Sequence, residues 1–566
     1  MAGSVQHRVA DRRVITLDPG CSSGPQQRGP GRLRRWNALA HPCGMRTGRV
    51  VVVGAGPNGL VAANLLADAG WQVQMLEAAE EPGGAVRSDS SVADGFVHDT
   101  FSSFYPLAAA SKVIARMDLE TYGLRWRHAP AVLGHPLADG DWALLHRDVE
   151  QTAAGLEAMT PGDGDAWRSL HREWQLMGPV VVDGLLRPFP PVRTVLRALP
   201  RLPRAGGLSY VRELLTPAVS LAARRFGGEA ARLLLVGNAL HADLPLTGSG
   251  SGLFGLLLAM LGQTTGFVVP EGGAQQITNA FVRRLRSRGG ELRTGALVTK
   301  IVVRDRRTRG VLVGDELIEA DAVVADVAAP ALYGQLVAWD ELPGRVRRGM
   351  EQFEMDPATI KVDWAMSGPV PWTNPPATAP GTVHLGGTVD DLVLCQGQID
   401  AGLVPARPFL LAGQMTTTDP TRSPGGTESL WAYTHVPQRV RGDAGDDGLT
   451  GSWDSDENER MADRMQAEFE RYAPDFASRI IARRVLGPHE LEARDRNLIG
   501  GAVGGGTAGL QQEVIFRPIP GWGRAETPIR GLFLGSASAH PGGGVHGAPG
   551  ANAARALIAA ARMRRL

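Results

Sequence analysis

The stretch Val50-Val51-Val52-Val53-Gly54-Ala55-Gly56-Pro57-Asn58-Gly59 decides the fold of this chain. Four consecutive valines predict a strand that is buried on both faces. The glycine-rich turn then leads into a helix, because the apolar residues that follow recur at helical spacing up to Ala67. Gly70 predicts the end of that helix, and Gln72 to Glu77 reads as a second strand. Together these elements form a complete βαβ unit.

The spacing of the glycines predicts a dinucleotide site. Gly54 permits a tight turn, Gly56 lets the backbone approach a pyrophosphate, and Gly59 lets the helix pack closely on the strand. Pro57 and Asn58 complete the turn. Glu77 lies 23 residues after Gly54, at the end of the second strand, where a carboxylate accepts hydrogen bonds from an adenosine ribose.

Two further segments match the same glycine spacing, at 250–255 and 504–509. Neither follows a valine-rich strand, so the context that makes the first match specific is missing. We expect both to be loops.

The residues after Glu77 read Ala78-Ala79-Glu80-Glu81-Pro82-Gly83-Gly84-Ala85-Val86-Arg87-Ser88. An acid, a short spacer and this Gly-Gly-x-x-Arg-Ser pattern resemble flavoproteins related to monoamine oxidase, phytoene desaturase and the Rab GDP-dissociation inhibitors. The resemblance implies FAD as the cofactor. It also implies that Ala78, Gly83, Gly84, Ala85 and Arg87 lie at the FAD, with Arg87 offering fixed donors to phosphate.

The middle of the chain predicts a helix from about Gln275 to Arg288, which ends at a glycine pair. Strands at 296–303, 310–313 and 322–325 predict a small β-meander that returns to the nucleotide domain. In the family, a residue placed like Val298 contacts adenine through its backbone.

The C-terminal segment 528–554 contains His540-Pro541-Gly542-Gly543-Gly544-Val545. It resembles the phytoene-desaturase and retinol-saturase branch, in which such a loop and a terminal helix face the flavin. The resemblance assigns Gly535, Ser536, Gly543, Gly544 and Val545 to the cofactor site. Glycines admit a flat ring against bare backbone, and free amides stabilise negative charge.

These signals predict an α/β fold: a Rossmann-like FAD-binding domain of the two-dinucleotide-binding-domain type with an inserted α+β substrate domain. The FAD-binding domain is expected at 46–150, 265–335 and 485–566, and the substrate domain at 150–265 and 335–485. Residues 1–45 are rich in arginine, glycine and proline. We expect a disordered tail or a start upstream of the true Met45, and a transit peptide is the third alternative.

Composition limits the partners. The chain has 59 Lys+Arg against 58 Asp+Glu, a formal charge of +1, so no overall field attracts nucleic acid. Cys21, Cys43 and Cys395 show neither a CxxC pair nor metal spacing, which predicts a cytoplasmic protein without a metal site. No apolar run is long enough to span a bilayer. A second nucleotide-binding βαβ unit is missing, so NAD(P)H is not implied.

Catalytic residues are hard to identify, because flavin oxidation requires mainly positioning and exclusion of water. His540, beside the glycine loop, is a candidate to bind substrate or move a proton, although it could equally bond loop backbone. Lys361 is one of only three lysines and lies in a probable substrate-domain strand. His241 and Asp243 could line a substrate pocket, but such residues more often bond helix ends.

The segment 187–212 interleaves arginines with apolar residues and contains no acid. It could rest on an anionic membrane and admit a hydrophobic substrate, or form a solvated rim. We therefore expect an FAD-dependent desaturase, dehydrogenase or isomerase acting on an isoprenoid or lipid-like molecule. A flavin amine oxidase is the alternative enzyme, and a prenyl carrier of the GDP-dissociation-inhibitor type is the alternative without chemistry. Oligomeric state is not predicted.

Overall fold

The computed structural model describes residues 47–566. The strands, numbered in chain order, are β1 (Arg49–Val53), β2 (Gln72–Leu76), β3 (Ser88–Asp89), β4 (His98–Asp99), β5 (Trp126–Arg127), β6 (Ala131–Pro136), β7 (Trp142–Leu145), β8 (Val269–Pro270), β9 (Glu291–Arg293), β10 (Val298–Arg304), β11 (Arg307–Val313), β12 (Glu316–Glu319), β13 (Ala322–Ala325), β14 (Ala358–Met366), β15 (Pro380–Leu385), β16 (Leu403–Val404), β17 (Leu410–Gln414), β18 (Glu428–Val436), β19 (Gly442–Asp443), β20 (Ile480–Leu486) and β21 (Leu532–Leu534).

The α-helices are α1 (Pro57–Asp68), α2 (Pro106–Ala110), α3 (Lys112–Ala115), α4 (Val149–Met159), α5 (Asp163–Leu185), α6 (Val192–Ala198), α7 (Leu208–Leu214), α8 (Ala218–Arg225), α9 (Glu229–Ala239), α10 (Ser251–Thr264), α11 (Gln275–Ser287), α12 (Ala329–Ala331), α13 (Gly344–Glu351), α14 (Val389–Asp400), α15 (Met415–Thr418), α16 (Ser455–Glu470), α17 (Pro488–Arg494) and α18 (Ala548–Arg562). Short 3-10 turns occur at Leu119–Tyr122, Leu202–Ala205, Trp339–Glu341, Pro420–Arg422, Ala477–Arg479, Ile499–Gly501, Leu510–Gln512 and Val514–Phe516, and a π turn at Leu332–Leu336.

The first sheet is parallel and has the order β21-β13-β1-β2-β9. Its central strand β1 is the predicted valine run, and Val50 to Val53 are buried. Helix α1 begins at Pro57, where a missing N–H costs nothing, and Gly70 follows its end at a positive φ of 84°. The predicted βαβ unit and the Rossmann-like α/β fold are confirmed.

The elements between the glycine motifs also follow the sequence. Helix α11 packs Ile277, Phe281 and Leu285 into the core below the first sheet. The predicted strands at 296–303 and 310–313 correspond to β10 and β11, but the third strand of the antiparallel meander is β12, which was not predicted. The predicted strand at 322–325 is β13, which pairs in parallel with β1. The meander therefore lies beside the end of the first sheet, where a nucleotide would extend.

The second sheet has the order β20-β14-β18-β17-β15-β6-β7 and is mostly antiparallel. On one face of β14, Ile360, Val362 and Trp364 pack with helix α16. On the opposite face, side chains of β17 and β18 pack with helices α9 and α10. A central strand of this sheet is thus covered on both faces.

Two strands depart from the predicted division of the chain. β6 pairs in parallel with β15, Leu133 opposite Thr382, and β7 pairs with β6, so residues 131–145 lie in the second sheet. The interval 46–150 had placed them with the FAD-binding domain. Pairing across about 250 residues leaves no local trace in the sequence, which explains the difference. The expected extension at 1–45 lies outside the described residues.

One of the two expected loops is a helix. Residues 251–255 open α10, because Gly252 and Gly255 let its backbone pack closely: an added Cβ would lie 2.5 Å from the Thr216 carbonyl and 2.6 Å from the Leu235 carbonyl, respectively. The prediction of a loop at 250–255 was therefore wrong. Residues 504–509 contain no regular element, as expected.

Candidate active site

The glycine turn after β1 is crowded on every side that a side chain would occupy. Gly54 has a φ of 91°, and an added Cβ would lie 2.6 Å from the Asp326 carbonyl oxygen. At Gly56 and Gly59, an added Cβ would lie 2.8 Å and 2.9 Å from Asp326 Oδ2. The close packing of this turn on Asp326 therefore requires glycine at all three positions.

The Glu77 carboxylate is fixed at the end of β2. Oε2 accepts a hydrogen bond of 2.7 Å from the Ala55 N–H, and Oε1 accepts one of 2.9 Å from the Ala79 N–H. These bonds leave further lone pairs of the carboxylate free for a ribose. The Ala296 N–H donates to the Glu77 carbonyl at 2.8 Å, which brings the start of β10, with Val298, beside the same carboxylate. The contact of Val298 with adenine stays a prediction.

Asp326 is a site residue that the sequence did not reveal. It directly follows β13, and its Oδ2 accepts a hydrogen bond of 2.7 Å from the N–H of Gly59 in the first turn of α1. Burial raises the pKa of this carboxyl to about 8, and the nearby charges of Asp495 and Glu77 act in the same direction. The sequence could have indicated Asp326 only by its position directly after a predicted strand. Because β13 runs parallel to β1, the carboxyl ends of both strands lie at the same edge of the first sheet.

The second glycine motif docks on the first. The Gly83 N–H donates to the Ala55 carbonyl at 2.9 Å, and both Gly83 and Gly84 have positive φ angles. Arg87 donates from Nε to the Gly84 carbonyl and from Nη2 to the Arg494 carbonyl. Ala78 follows Glu77, while the Ala85 carbonyl accepts a bond from the Ser102 hydroxyl. A role of these residues in holding phosphate and ribityl groups remains a prediction.

The C-terminal loop closes the same region. The Gly535 N–H donates to the Ala325 carbonyl at 2.8 Å, so Ser536 starts the loop at the carboxyl edge of the first sheet. Gly543 touches the other glycine loop, because an added Cβ would lie 2.7 Å from the Gly504 carbonyl. Gly544 has a φ of 102°, and the half-buried Val545 packs on the core around α1. Helix α18 then begins at Ala548.

Arg517 connects the loop 504–507 to the loop 536–545. It lies in no recognisable sequence motif and was not predicted to be part of the site. The side chain is fully buried and donates to the carbonyl oxygens of Ala537, Thr507, Gly504 and Gly506. It also bonds Glu513 at 2.8 Å. Because a guanidinium presents donors in a rigid plane, this single residue fixes the relative position of the loops 504–507 and 536–545.

His540 forms a hydrogen bond to the backbone, which is one of the two roles predicted for it. Its Nε2 lies 2.8 Å from the Arg187 carbonyl, and since a carbonyl only accepts, Nε2 carries the hydrogen. Nδ1 is buried without a partner among residues 47–566. Burial lowers the pKa of the ring, so it is neutral. His540 therefore joins the glycine loop to the segment 187–212.

Lys361 lies on β14, in the strand that the sequence predicted. Its ammonium group bonds the Asp363 carboxylate and lies 5.6 Å from the Trp431 ring centroid. Arg484 bonds the other oxygen of Asp363 at 2.7 Å. Burial alone would raise the pKa of Asp363, but the two cations lower it. The structure thus places Lys361 in a buried ion cluster, and a catalytic role for it stays a prediction.

His241 and Asp243 point to different partners. Asp243 accepts bonds from the Thr507 hydroxyl and from the Ala508 N–H at 2.8 Å, and so anchors the loop that Arg517 holds. His241 Nε2 lies 2.9 Å from His384 Nε2 on β15. The two residues therefore do not form a pair.

The residues present fit a dinucleotide. The turn after β1 has no room for a side chain at Gly54, Gly56 or Gly59. Glu77 is oriented for a ribose, and Asn58 Oδ1 is a buried polar atom without a partner in the described part of the chain. A family model described as "Flavin containing amine oxidoreductase" matches residues 58–396, more than half of the chain.

The chain belongs to the flavin containing amine oxidoreductase family. This flavoprotein is 27% identical over 551 residues to pyridine nucleotide-disulfide oxidoreductase domain-containing protein 2 of Mus musculus, covering 90% of the chain and 93% of the relative. It is 26% identical to the lycopene-forming phytoene desaturase of Pseudescherichia vulneris, covering 88% and 96%. A solved oxidoreductase from Methanosarcina mazei shares its fold, with a TM-score of 0.57, 15% identity and coverage of 90% and 100%.

Family and fold together confirm a phytoene-desaturase-like, FAD-dependent oxidoreductase. The chain is therefore an enzyme, and the reading as a carrier without chemistry is set aside. Within residues 47–566, none of the helices combines the length and the apolar character needed to cross a bilayer.

Proposed function

We propose that this flavoprotein removes hydrogen from carbon–hydrogen bonds of a hydrophobic, isoprenoid or lipid-like substrate, as a desaturase, dehydrogenase or isomerase. FAD, when bound, supplies the acceptor for the hydride that leaves carbon. The protein's own contribution is to hold the substrate in an apolar space and to keep water out. The names of the phytoene desaturase relatives support this substrate class.

The observation that carries the proposal is a group of aromatic rings on one face of the second sheet. Phe104 lies 5.8 Å from Trp431 and 6.5 Å from Phe267, measured between ring centroids. Trp431 stacks on Tyr433 at 6.0 Å. These rings come from three separate parts of the chain and converge between β18 and the strand region before α11. Aromatic side chains grouped in this way favour a large apolar ligand.

The nearby carboxylates do not favour a cationic amine. Asp363 is already neutralised by Lys361 and Arg484, and Asp243 bonds the loop at Thr507 and Ala508. A protonated amine held against the aromatic rings would have neither of these carboxylates free to balance its charge. Amine oxidation, which the family description names, is thus the weaker alternative for this chain.

A proton must also leave the substrate, and His540 is the proposed acceptor. Its Nε2–H is held by the Arg187 carbonyl, which leaves the lone pair of Nδ1 free in a buried place. A neutral imidazole in that tautomer can accept a proton at Nδ1. Lys361 is the second candidate, although its ammonium group would first have to give a proton to Asp363 before the amine could accept one.

The segment 187–212 is the proposed contact with an anionic membrane. Its apolar side chains point outward: Leu208 is 82% exposed, and Val192, Val195, Leu196 and Leu199 are each more than half exposed. Beside them is a cavity of about 630 Å³ lined by the cations Lys112, Arg116, Arg187, Arg193, Arg524 and Arg555, with Asp183 and Glu526 as the acids. Exposed apolar groups next to clustered cations match a lipid surface.

The test of the proposed activity is reduction of the bound flavin without oxygen. Purified protein is mixed anaerobically with carotenoid precursors, prenyl lipids and amines of matched chain length, and the flavin absorbance is followed. We expect bleaching by the isoprenoid or lipid and none by the amine. Bleaching by amines alone would overturn the proposal in favour of amine oxidation.

A further inference from the structure

Three incompletely buried side chains indicate a space inside the molecule, over the middle of the second sheet. β18 has neighbouring strands on both sides, yet Tyr433 and His435 on it are only half-buried. The residues that alternate with them, Ala432 and Thr434, are buried. His241, which faces this sheet from the end of α9, is also half-buried. The space therefore lies between β18 and the end of α9.

Two histidines meet at the edge of this space. His241 Nε2 lies 2.9 Å from His384 Nε2, and the ring centroids are 5.1 Å apart. Burial lowers the pKa of His241 to about 3 and that of His384 well below its ordinary value. Both rings are neutral at pH 7. A bond between them then requires one Nε2 to carry hydrogen and the other to offer a lone pair.

The surroundings of His384 decide which ring donates. Its Nδ1 is buried without a partner among residues 47–566 and lies 2.7 Å from the position of an added Cβ on Gly237, so nothing else fits there. A buried N–H without an acceptor is rarer in proteins than a buried acceptor without a donor. His384 therefore carries its hydrogen on Nε2 and donates it to His241.

This assignment fixes the other ring. Because His241 Nε2 accepts, the hydrogen of His241 is on Nδ1. Nδ1 has no partner in the described chain and is not among the fully buried atoms. The Tyr433 hydroxyl likewise has no partner in the described chain and is not among the fully buried atoms. Burial raises the pKa of this phenol, so it stays protonated. His241 lies 6.2 Å from Phe267 and Tyr433 lies 6.0 Å from Trp431, measured between ring centroids, so both neutral donors adjoin the same group of aromatic rings.

We propose that His241 Nδ1–H and the Tyr433 hydroxyl bind an oxygen atom of the substrate, so the substrate is a hydrophobic molecule that carries a hydroxyl or carbonyl group. This inference rests on the proposed dehydrogenase function and narrows its substrate class. A hydrocarbon would leave both donors unpaired in an apolar space, which is unfavourable. An ammonium group has no lone pair and cannot accept a hydrogen bond from either donor.

The test compares three ligands with one carbon skeleton: a prenyl alcohol, its hydrocarbon counterpart and its primary amine. Binding is measured as a change in the absorbance of bound FAD, and reduction as anaerobic bleaching. We expect the holoenzyme to bind the alcohol about tenfold or more tightly than the hydrocarbon, the effect of one to two hydrogen bonds. In His241→Phe this preference disappears, while His241→Asn, which keeps a side-chain N–H donor, retains part of it.

His489→Phe is the control, because His489 bonds the Ser452 carbonyl on the surface and should leave the preference unchanged. Equal binding of alcohol and hydrocarbon by the holoenzyme overturns the inference, and so does an unchanged preference in His241→Phe with full FAD absorbance. If the hydrocarbon bleaches the flavin as fast as the alcohol, the proposed function stands and only this inference fails. If only the amine bleaches it, both fail.

Discussion

Asp326 Oδ2 accepts a hydrogen bond of 2.7 Å from the backbone N–H of Gly59, across 267 residues of chain. A carboxyl group thus occupies the N-terminal turn of α1, where a pyrophosphate would also be attracted. Burial raises the pKa of this carboxyl to about 8, so the group is mostly neutral at pH 7. The dinucleotide turn is therefore sensitive to the protonation of one side chain.

FAD retention should fall as pH rises through about 8. Ionised Asp326 would add a negative charge beside the two phosphates, and we expect the affinity for FAD to drop about tenfold or more. Asp326→Asn keeps an oxygen that can accept from Gly59 but does not titrate, so its FAD affinity should be flat between pH 7 and 9. Equilibrium dialysis with fluorescence of released FAD measures both. The same dependence of FAD affinity on pH in both proteins would contradict the assignment of this effect to Asp326.

The same group should affect the stability of the apoprotein. Its pKa is higher in the folded state than its ordinary value of 3.8, so its stabilising contribution is complete below about pH 4 and is lost as pH rises through about 8. We expect the melting temperature of the apoprotein to decline over this window relative to that of Asp326→Asn. Differential scanning calorimetry in buffers of constant ionic strength measures the difference.

Gly56→Val should abolish FAD retention. An added Cβ would lie 2.8 Å from Asp326 Oδ2, and the two methyl groups would fill the approach to the pyrophosphate. We expect FAD to bind about a hundredfold more weakly, measured as the ratio of flavin to protein absorbance after gel filtration. Gly155→Val in α4 is the control, since no atom lies within 4 Å of its added Cβ. A fully loaded Gly56→Val protein would refute the cofactor site.

Arg517→Met should destabilise the fold and the cofactor site together. It removes donors from four carbonyl groups and leaves the half-buried Glu513 unpaired, a loss of about 3–5 kcal/mol. Burial already raises the pKa of Glu513 to about 7. Arg293→Met, which loses only the exposed pair with Glu316, should cost less than about 1 kcal/mol. Chemical denaturation followed by flavin and tryptophan fluorescence separates the two variants.

Binding to anionic vesicles should depend on the arginines of the segment 187–212. Changing Arg193, Arg197, Arg201 and Arg204 to Gln should remove about 4 kcal/mol of attraction at low salt. Added salt should also weaken the binding of the unmodified protein to these vesicles, because exposed charges are screened within about 8 Å at physiological ionic strength. FAD content should be unchanged.

The matched control changes four exposed arginines elsewhere, Arg304, Arg306, Arg309 and Arg347. Vesicle flotation of the two variants gives the comparison. If the unmodified protein ignores vesicles of phosphatidylglycerol even at low salt, the segment is a solvated rim and the proposed membrane contact is wrong.

Local signals in the sequence were sufficient for β1, α1, β2 and Glu77, because a valine run, glycine spacing and one acid encode the unit within 30 residues. They were insufficient for Asp326 and Arg517, whose roles arise only when distant strands and loops are brought together. The same reason applies to β6, whose partner β15 lies about 250 residues later. The helix at 251–264 was missed because glycines that allow close helix packing look like glycines of a turn.

β21 forms one edge of the first sheet and is made late in synthesis. β21 pairs with β13, and α18 packs on α1, so the turn around Gly56 acquires its full surroundings only when residues beyond 532 have emerged. About 480 residues separate β1 from β21, which at ordinary elongation rates is about 25 to 100 seconds of synthesis. Nascent chains that stall before β21 therefore leave the edge of β13 unpaired, and such an edge can pair with other chains.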